Sequence, residues 1–153
     1  MVRPGGVVKC FGENAYGQAG VASATSAIGD APNEMGANLV AVNLGIRTAT
    51  AVFHGLHHSC AILDTGYPRC WGRNDTGELG VGNVGETWTA LTGTSGYLAP
   101  TLFAFASDVV FLALGEGFTC ALLQTGIVRC WGHNSRGELG LGLTQNQARR
   151  GNC

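Results

Sequence analysis

Apolar residues occur along this chain in short runs that are separated by polar stretches containing glycine. Two pairs of runs, at 57–72 and 117–132, are each divided by a three-residue connection that ends in glycine, at 64–66 and 124–126. Short apolar runs bounded by turn residues predict β-strands. A connection ending in glycine suits a type I turn followed by a left-handed residue, which glycine adopts without steric cost. The pattern therefore predicts two β-hairpins.

A further strand is predicted before each hairpin. Residues 50–54 and 109–114 are rich in β-branched and aromatic side chains, which favour strands. Helical periodicity is not seen between these strands, so the chain is predicted to be all-β with at least three strands in each repeat.

The sequence repeats with a period of 60 residues. The motif KCFGENAYGQAG at 9–20 returns as RCWGRNDTGELG at 69–80 and as RCWGHNSRGELG at 129–140, and the two hairpins are also 60 residues apart. A single unit of such a repeat cannot bury both of its faces, which predicts stacked antiparallel blades of a β-propeller. We therefore expect residues 1–153 to form a single repeat domain, an open arc of about two to three blades.

Six motif residues are expected to have structural roles. The aromatic residue at the third motif position should pack between blades: Phe11, Trp71 and Trp131. The Gln or Glu at the tenth position should accept hydrogen bonds from nearby backbone amides in its turn: Gln18, Glu78 and Glu138.

The motif CWGxNxxGELG, preceded by a GxxHxCAL-type strand, resembles the repeat of the regulator of chromosome condensation family. The resemblance covers about residues 7–142 and implies a propeller, which has seven blades in that family. Three motif copies do not close such a ring, so we expect either a piece of a longer protein or an arc that another chain completes. An arc exposes strand edges and a blade face, which predicts a protein partner or self-association.

Three functions follow from the resemblance and the loops. We expect a non-catalytic protein-interaction or assembly module, with a structural subunit of a larger complex as one form of it. The founding member of the family is a guanine-nucleotide exchange factor for a small GTPase, which is an alternative. A lectin-like glycan-binding propeller is a second alternative, because aromatic residues stack on sugars and loops carry function. The irregular stretch 82–105 is the candidate partner-binding loop, with Trp88, Tyr97 and Phe103.

Composition and charge narrow the classes of partner. The net charge is −1 and charged residues make up 12% of the chain, so there is no basic field to hold a phosphate backbone. Nucleic-acid binding is not expected. The longest apolar stretches, such as 109–114, are far shorter than the ~20 residues of a membrane-spanning helix.

The cysteines predict two disulfides. Cys60 and Cys70 are symmetric about the middle residue of their hairpin connection, and so are Cys120 and Cys130. Residues directly opposite each other on paired strands have Cα atoms ~4.5–5.5 Å apart, within the range for a disulfide. Such bonds would pin the register of each hairpin.

Disulfides imply an oxidising compartment, outside the cell or in an organelle lumen. The start of the sequence has no apolar segment like that of a signal peptide, so a cytoplasmic location with reduced cysteines is the alternative. Cys10 and Cys153 have no partner within the repeat, and their pairing stays open.

The residues that carry chemistry give little sign of catalysis. His54, His57 and His58 lie close together and suggest zinc, but adjacent residues of a strand point to opposite faces, so no metal site or other cofactor is expected. Ser59 follows His58 without an identifiable acid partner, and no phosphate-binding loop is present. The chain is therefore not expected to be an enzyme.

Overall fold

The computed structural model describes residues 2–21, 25–82, 84 and 108–152. Regular structure within these residues consists of strands alone, and none of them lies in a helix that is long and apolar enough to cross a membrane. The strands are β1 Val2–Arg3, β2 Val7–Val8, β3 Gly12–Glu13, β4 Ala27–Ile28, β5 Ala49–His54, β6 His58–Leu63, β7 Pro68–Gly72, β8 Val109–Leu114, β9 Phe118–Leu123, β10 Val128–Gly132 and β11 Gln147–Asn152.

The strands form antiparallel sheets that follow the repeat. Strands β5, β6 and β7 make a three-stranded sheet, called here the second blade. Strands β8, β9, β10 and β11 make a four-stranded sheet in that order, the third blade. The short pairs β1–β2 and β3–β4 belong to the first blade. The prediction of an all-β, antiparallel architecture is confirmed.

The hairpin registers centre on the two glycine-containing connections. Cys60 lies opposite Cys70 and Cys120 lies opposite Cys130. Gly66 and Gly126, at the ends of the connections, have φ angles of 76° and 83°. Both values lie in the left-handed region, where a Cβ atom would be strained.

Two apolar clusters hold the blades against one another, because the second blade packs one face on the first blade and the other face on the third blade. The cluster between the first and second blades contains Val8, Cys10, Ala19, Val21, Val42, Leu44, Ala49, Ala61, Leu63 and Trp71. The cluster between the second and third blades contains Cys60, Ile62, Cys70, Leu79, Val81, Val109, Leu112, Ala121, Leu123 and Trp131. Burial of these side chains is the main favourable term in the stacking.

Phe11 does not pack between blades, and this part of the prediction is wrong. Its side chain is 59% exposed, whereas Trp71 and Trp131 are fully buried. Each tryptophan lies against the turn motif of the blade before it, as described below. Within the described residues no turn motif precedes Phe11, so its ring has no such surface to cover.

Candidate functional site

Each buried tryptophan is bonded to the preceding blade. The indole Nε1 of Trp131 donates to the backbone carbonyl of Glu78 at 2.9 Å, and the hydroxyl of Thr119 donates to the same carbonyl at 2.9 Å. A buried carbonyl without a partner costs free energy comparable to a lost hydrogen bond. The third blade therefore completes the turn of the second blade by both packing and polar contacts.

The same arrangement joins the first and second blades. Trp71 Nε1 donates to the carbonyl of Gln18 at 3.0 Å, and Ser59 Oγ donates to it at 2.8 Å. Ser59 and Thr119 occupy equivalent repeat positions. Their role was not predicted from the sequence, although a hydroxyl residue recurs 60 positions later.

The side chains at the tenth motif position accept a hydrogen bond from the amide two residues before them. The distance from the backbone nitrogen to the side-chain oxygen is 2.9 Å from Tyr16 to Gln18, 2.8 Å from Thr76 to Glu78 and 2.9 Å from Arg136 to Glu138. Backbone amides at Glu138 itself and at Arg136 lower the pKa of the Glu138 carboxyl below its usual value. These side chains stabilise the turns from within.

A buried asparagine also holds each turn, and the sequence analysis missed it. The Oδ1 atom of this residue accepts from the amide five residues later at 3.0, 3.2 and 2.9 Å, in the order Asn14, Asn74 and Asn134. All three side chains are buried. The recurrence of asparagine at the sixth position of all three motif copies is the signal that would have found them.

The histidines bond to hydroxyl groups at the blade interfaces. His54 Nδ1 lies 2.9 Å from Ser59 Oγ, and His58 Nε2 lies 2.8 Å from Thr119 Oγ1. Since both hydroxyl protons go to turn carbonyls, the hydroxyl oxygens accept from the imidazoles. Burial lowers the pKa of His58 to about 4, so its ring is neutral at physiological pH. No three metal-binding side chains converge in the part of the chain that the structure describes.

The two cystine pairs lie in different surroundings. Cys60 is joined to Cys70 with Cα atoms 4.0 Å apart, and Cys120 to Cys130 with Cα atoms 4.1 Å apart. The first pair is fully buried beneath the third blade, whereas Cys120 is half-buried. Cys10 is a buried thiol whose pKa is raised by burial, and Cys153 lies outside the described residues.

The outer face of the third blade carries exposed apolar side chains in the part of the chain that the structure describes. Phe111 pairs with Leu122, and Leu122 pairs with Val128, so the three form a row across β8, β9 and β10. Phe111, Leu122 and Val128 are 53%, 36% and 41% exposed. This row, with Cys120, is called the third-blade face.

The second blade shows what covers the equivalent face. One period earlier, Ile62 is 5% exposed and Pro68 is buried, because the third blade lies on them. Glu78 is likewise fully buried, whereas the side chain of Glu138 is 21% exposed. The third-blade face therefore has the chemistry of an inter-blade contact, but no sheet among the described residues covers it. Trp88, Tyr97 and Phe103 lie outside the described residues.

Comparison with known proteins identifies the repeat. The profile of the regulator of chromosome condensation (RCC1) repeat matches residues 109–138. Protein RCC2 of Mus musculus is 37% identical over 101 residues, which are 64% of this chain and 18% of that protein. The chain carries regulator of chromosome condensation repeats.

Similar solved structures establish the fold. Human WBSCR16 superposes with a TM-score of 0.73 at 20% identity, over 93% of this chain and 34% of that one. Yeast RCC1 (Prp20), in its complex with Kap60, superposes with a TM-score of 0.65 at 24% identity, over 92% and 32%. The repeats thus form part of a β-propeller, and the predicted fold class is confirmed. The chain spans about a third of these two structures and less than a fifth of RCC2.

Proposed function

We propose that the chain is a non-catalytic protein-interaction and assembly module, which associates with a second copy of itself through the third-blade face. The observation that carries the proposal is the exposure of an apolar row whose counterpart in the second blade is buried by a neighbouring sheet. A contiguous apolar patch of this kind is typical of a protein interface. Residues 1–153 act as one repeat domain in this association, since two apolar clusters link the three blades.

An exposed apolar sheet face suits a symmetric pair. In a twofold dimer the same patch is used on both subunits, so the surface has to be complementary only to itself. The third-blade face carries apolar side chains on three adjacent strands. Two such faces packed together exclude water from both, as the second and third blades do within the chain.

Light scattering on the 153-residue chain tests the proposal. We expect a particle larger than one chain, and we expect Leu122→Asp together with Val128→Asp to return it to a single chain because buried carboxylates are costly. Ile46→Asp is the matched control, since Ile46 is 90% exposed and lies outside that face. A single-chain particle for the unaltered protein at high concentration would overturn the proposal.

Guanine-nucleotide exchange and glycan binding are weaker candidates. Guanine-nucleotide exchange is supported only by the resemblance to the regulator of chromosome condensation family. Glycan binding was predicted from aromatic residues that lie outside the described part of the chain. Protein association is supported in addition by the exposed third-blade face. Yeast RCC1 (Prp20) is itself found bound to another protein, Kap60.

An oxidising compartment, secreted or lumenal, is part of the proposal. It is supported by the two cystine pairs, which hold the middle of each hairpin, and by the rarity of disulfides in the cytosol. Intact mass without reductant tests it, with two hydrogens lost for each bond. A chain recovered from its native source with both pairs reduced would instead support the cytoplasmic alternative.

A further inference from the structure

Two aromatic rings and a guanidinium group meet between the first and second blades. The rings of Tyr16 and His57 have centroids 4.9 Å apart, and the guanidinium carbon of Arg73 lies 5.6 Å from the centroid of the Tyr16 ring. Tyr16 comes from the turn motif of the first blade, whereas His57 and Arg73 come from the second. A half-buried tyrosine thus bridges this interface by ring packing and a cation–π contact.

The next interface has no aromatic ring at the positions that correspond to Tyr16 and His57. The counterparts of Tyr16, His57 and Arg73, one period later, are Thr76, Gly117 and His133. All three line a groove of about 400 Å³ between the second and third blades. Two small residues stand where the first interface has two rings, which explains why the groove is open.

The walls of this groove suit an aromatic ring. Two aromatic residues, Phe118 and His133, and the basic residue Arg136 line it. The imidazole of His133 is held in place, because its Nδ1 lies 2.9 Å from Glu138 Oε1 and its Nε2 lies 2.9 Å from Ser135 Oγ. A fixed imidazole and a nearby cation are good partners for the face of an incoming ring.

We propose that the groove binds a tyrosine side chain of a partner protein, in the position that Tyr16 occupies in the preceding interface. The phenol ring would lie against His133 and Arg136, and its hydroxyl would lie near Glu116, which also lines the groove. The inference rests on the proposed protein-interaction function in one respect, namely that the ligand belongs to a protein.

Titration of the 153-residue chain with N-acetyl-tyrosinamide, followed by NMR, tests the proposal. We expect a dissociation constant on the order of 1 mM, as is usual for a ligand of this size, and chemical-shift changes centred on Gly117 and His133. N-acetyl-leucinamide should bind at least about tenfold more weakly, because it has no ring to stack. Equal binding of the two compounds, or shifts centred elsewhere, would overturn the proposal.

Thr76→Tyr gives a specific block. It places in the second interface the residue that the protein already uses in the first, so the groove should be filled and binding lost. Thr76→Ser is the matched control, since it keeps the groove open and the hydroxyl that donates to Glu78 Oε2 at 2.8 Å. Full binding by a folded Thr76→Tyr variant contradicts the proposed position of the ring. His133→Ala, which removes a wall without filling the space, should weaken binding as well.

The two proposals fail separately. The aspartate substitutions in the third-blade face do not touch the groove, and the Thr76 variants do not touch that face. If the protein is a single chain in solution and still binds N-acetyl-tyrosinamide, the proposed tyrosine site is supported and the proposed self-association is overturned. Self-association without tyrosinamide binding would do the reverse.

Discussion

Trp131 donates its indole hydrogen to the carbonyl of Glu78 at 2.9 Å, across the boundary between two blades. Trp71 makes the equivalent bond to Gln18 at 3.0 Å. Both rings are fully buried, so packing and hydrogen bonding act at the same point. This contact is therefore where the blade interface is most sensitive to substitution.

Trp131→Phe removes the hydrogen bond and reduces the packing at this contact. Phenylalanine keeps most of the apolar ring but has no hydrogen to donate, so the Glu78 carbonyl retains only the bond from Thr119. We expect the free energy of unfolding to fall by about 1–3 kcal/mol from the lost bond and the smaller ring. Chemical denaturation measures this change.

Phe11→Leu is the control for that measurement, because Phe11 has the same motif position and is exposed. Its effect should lie within about 0.5 kcal/mol. Equal losses for the two variants would show that the motif position, and not its contact with the preceding blade, determines the cost.

Stability should fall as the pH is lowered through the range in which His58 titrates. The folded-state pKa is about 4 and the unfolded value is 6.5, so the unfolded chain binds a proton first. The neutral ring contributes its full stabilisation above about pH 6.5, and up to about 3 kcal/mol is lost by about pH 4. Denaturation at a series of pH values measures this slope.

His58→Gln is the matched variant for the pH series. Glutamine can still donate to Thr119 but does not titrate, so the slope between about pH 6.5 and pH 4 should become flatter. An unchanged slope would mean that other groups cause the acid sensitivity, such as His54, whose pKa is also lowered.

The two cystine pairs should differ in their rate of reduction. Cys60 and Cys70 are covered by the third blade, whereas Cys120 is half-buried. Thiol–disulfide exchange needs access to a sulfur atom, so dithiothreitol should reduce the Cys120–Cys130 bond first under native conditions. Quenching with an alkylating agent and mapping the peptides gives the order. Reduction of the Cys60–Cys70 bond first would contradict the blade order.

The sequence predicted the hairpins well because their determinants are local. The spacing of Cys60 and Cys70 about one turn is a short-range property, and a slip of one residue would turn every side chain to the other face. Strand β8 begins and ends at the predicted residues, and β5 begins one residue earlier than predicted. Strand β11 was missed because Gln147–Asn152 is polar and has no alternation of apolar residues.

Contacts between blades were harder to predict. Phe11 and Trp71 share a motif position, but burial depends on what lies against the ring, which the motif does not encode. The groove also escaped the sequence analysis. Tyr16 and His57 are visible as single residues, but their contact, and the loss of it at Thr76 and Gly117, requires the two blades to be placed side by side.

In the first and second turn motifs, the indole that bonds to the turn carbonyl comes from a residue 53 positions later in the chain. During synthesis, a turn motif that has left the ribosome keeps an open carbonyl until most of the next repeat has followed it. The array is therefore completed in one direction, with each new blade finishing the one made before it. At any stage of synthesis, only the most recently made turn motif has a carbonyl that still awaits its indole partner. The number of such carbonyls therefore does not increase as repeats are added.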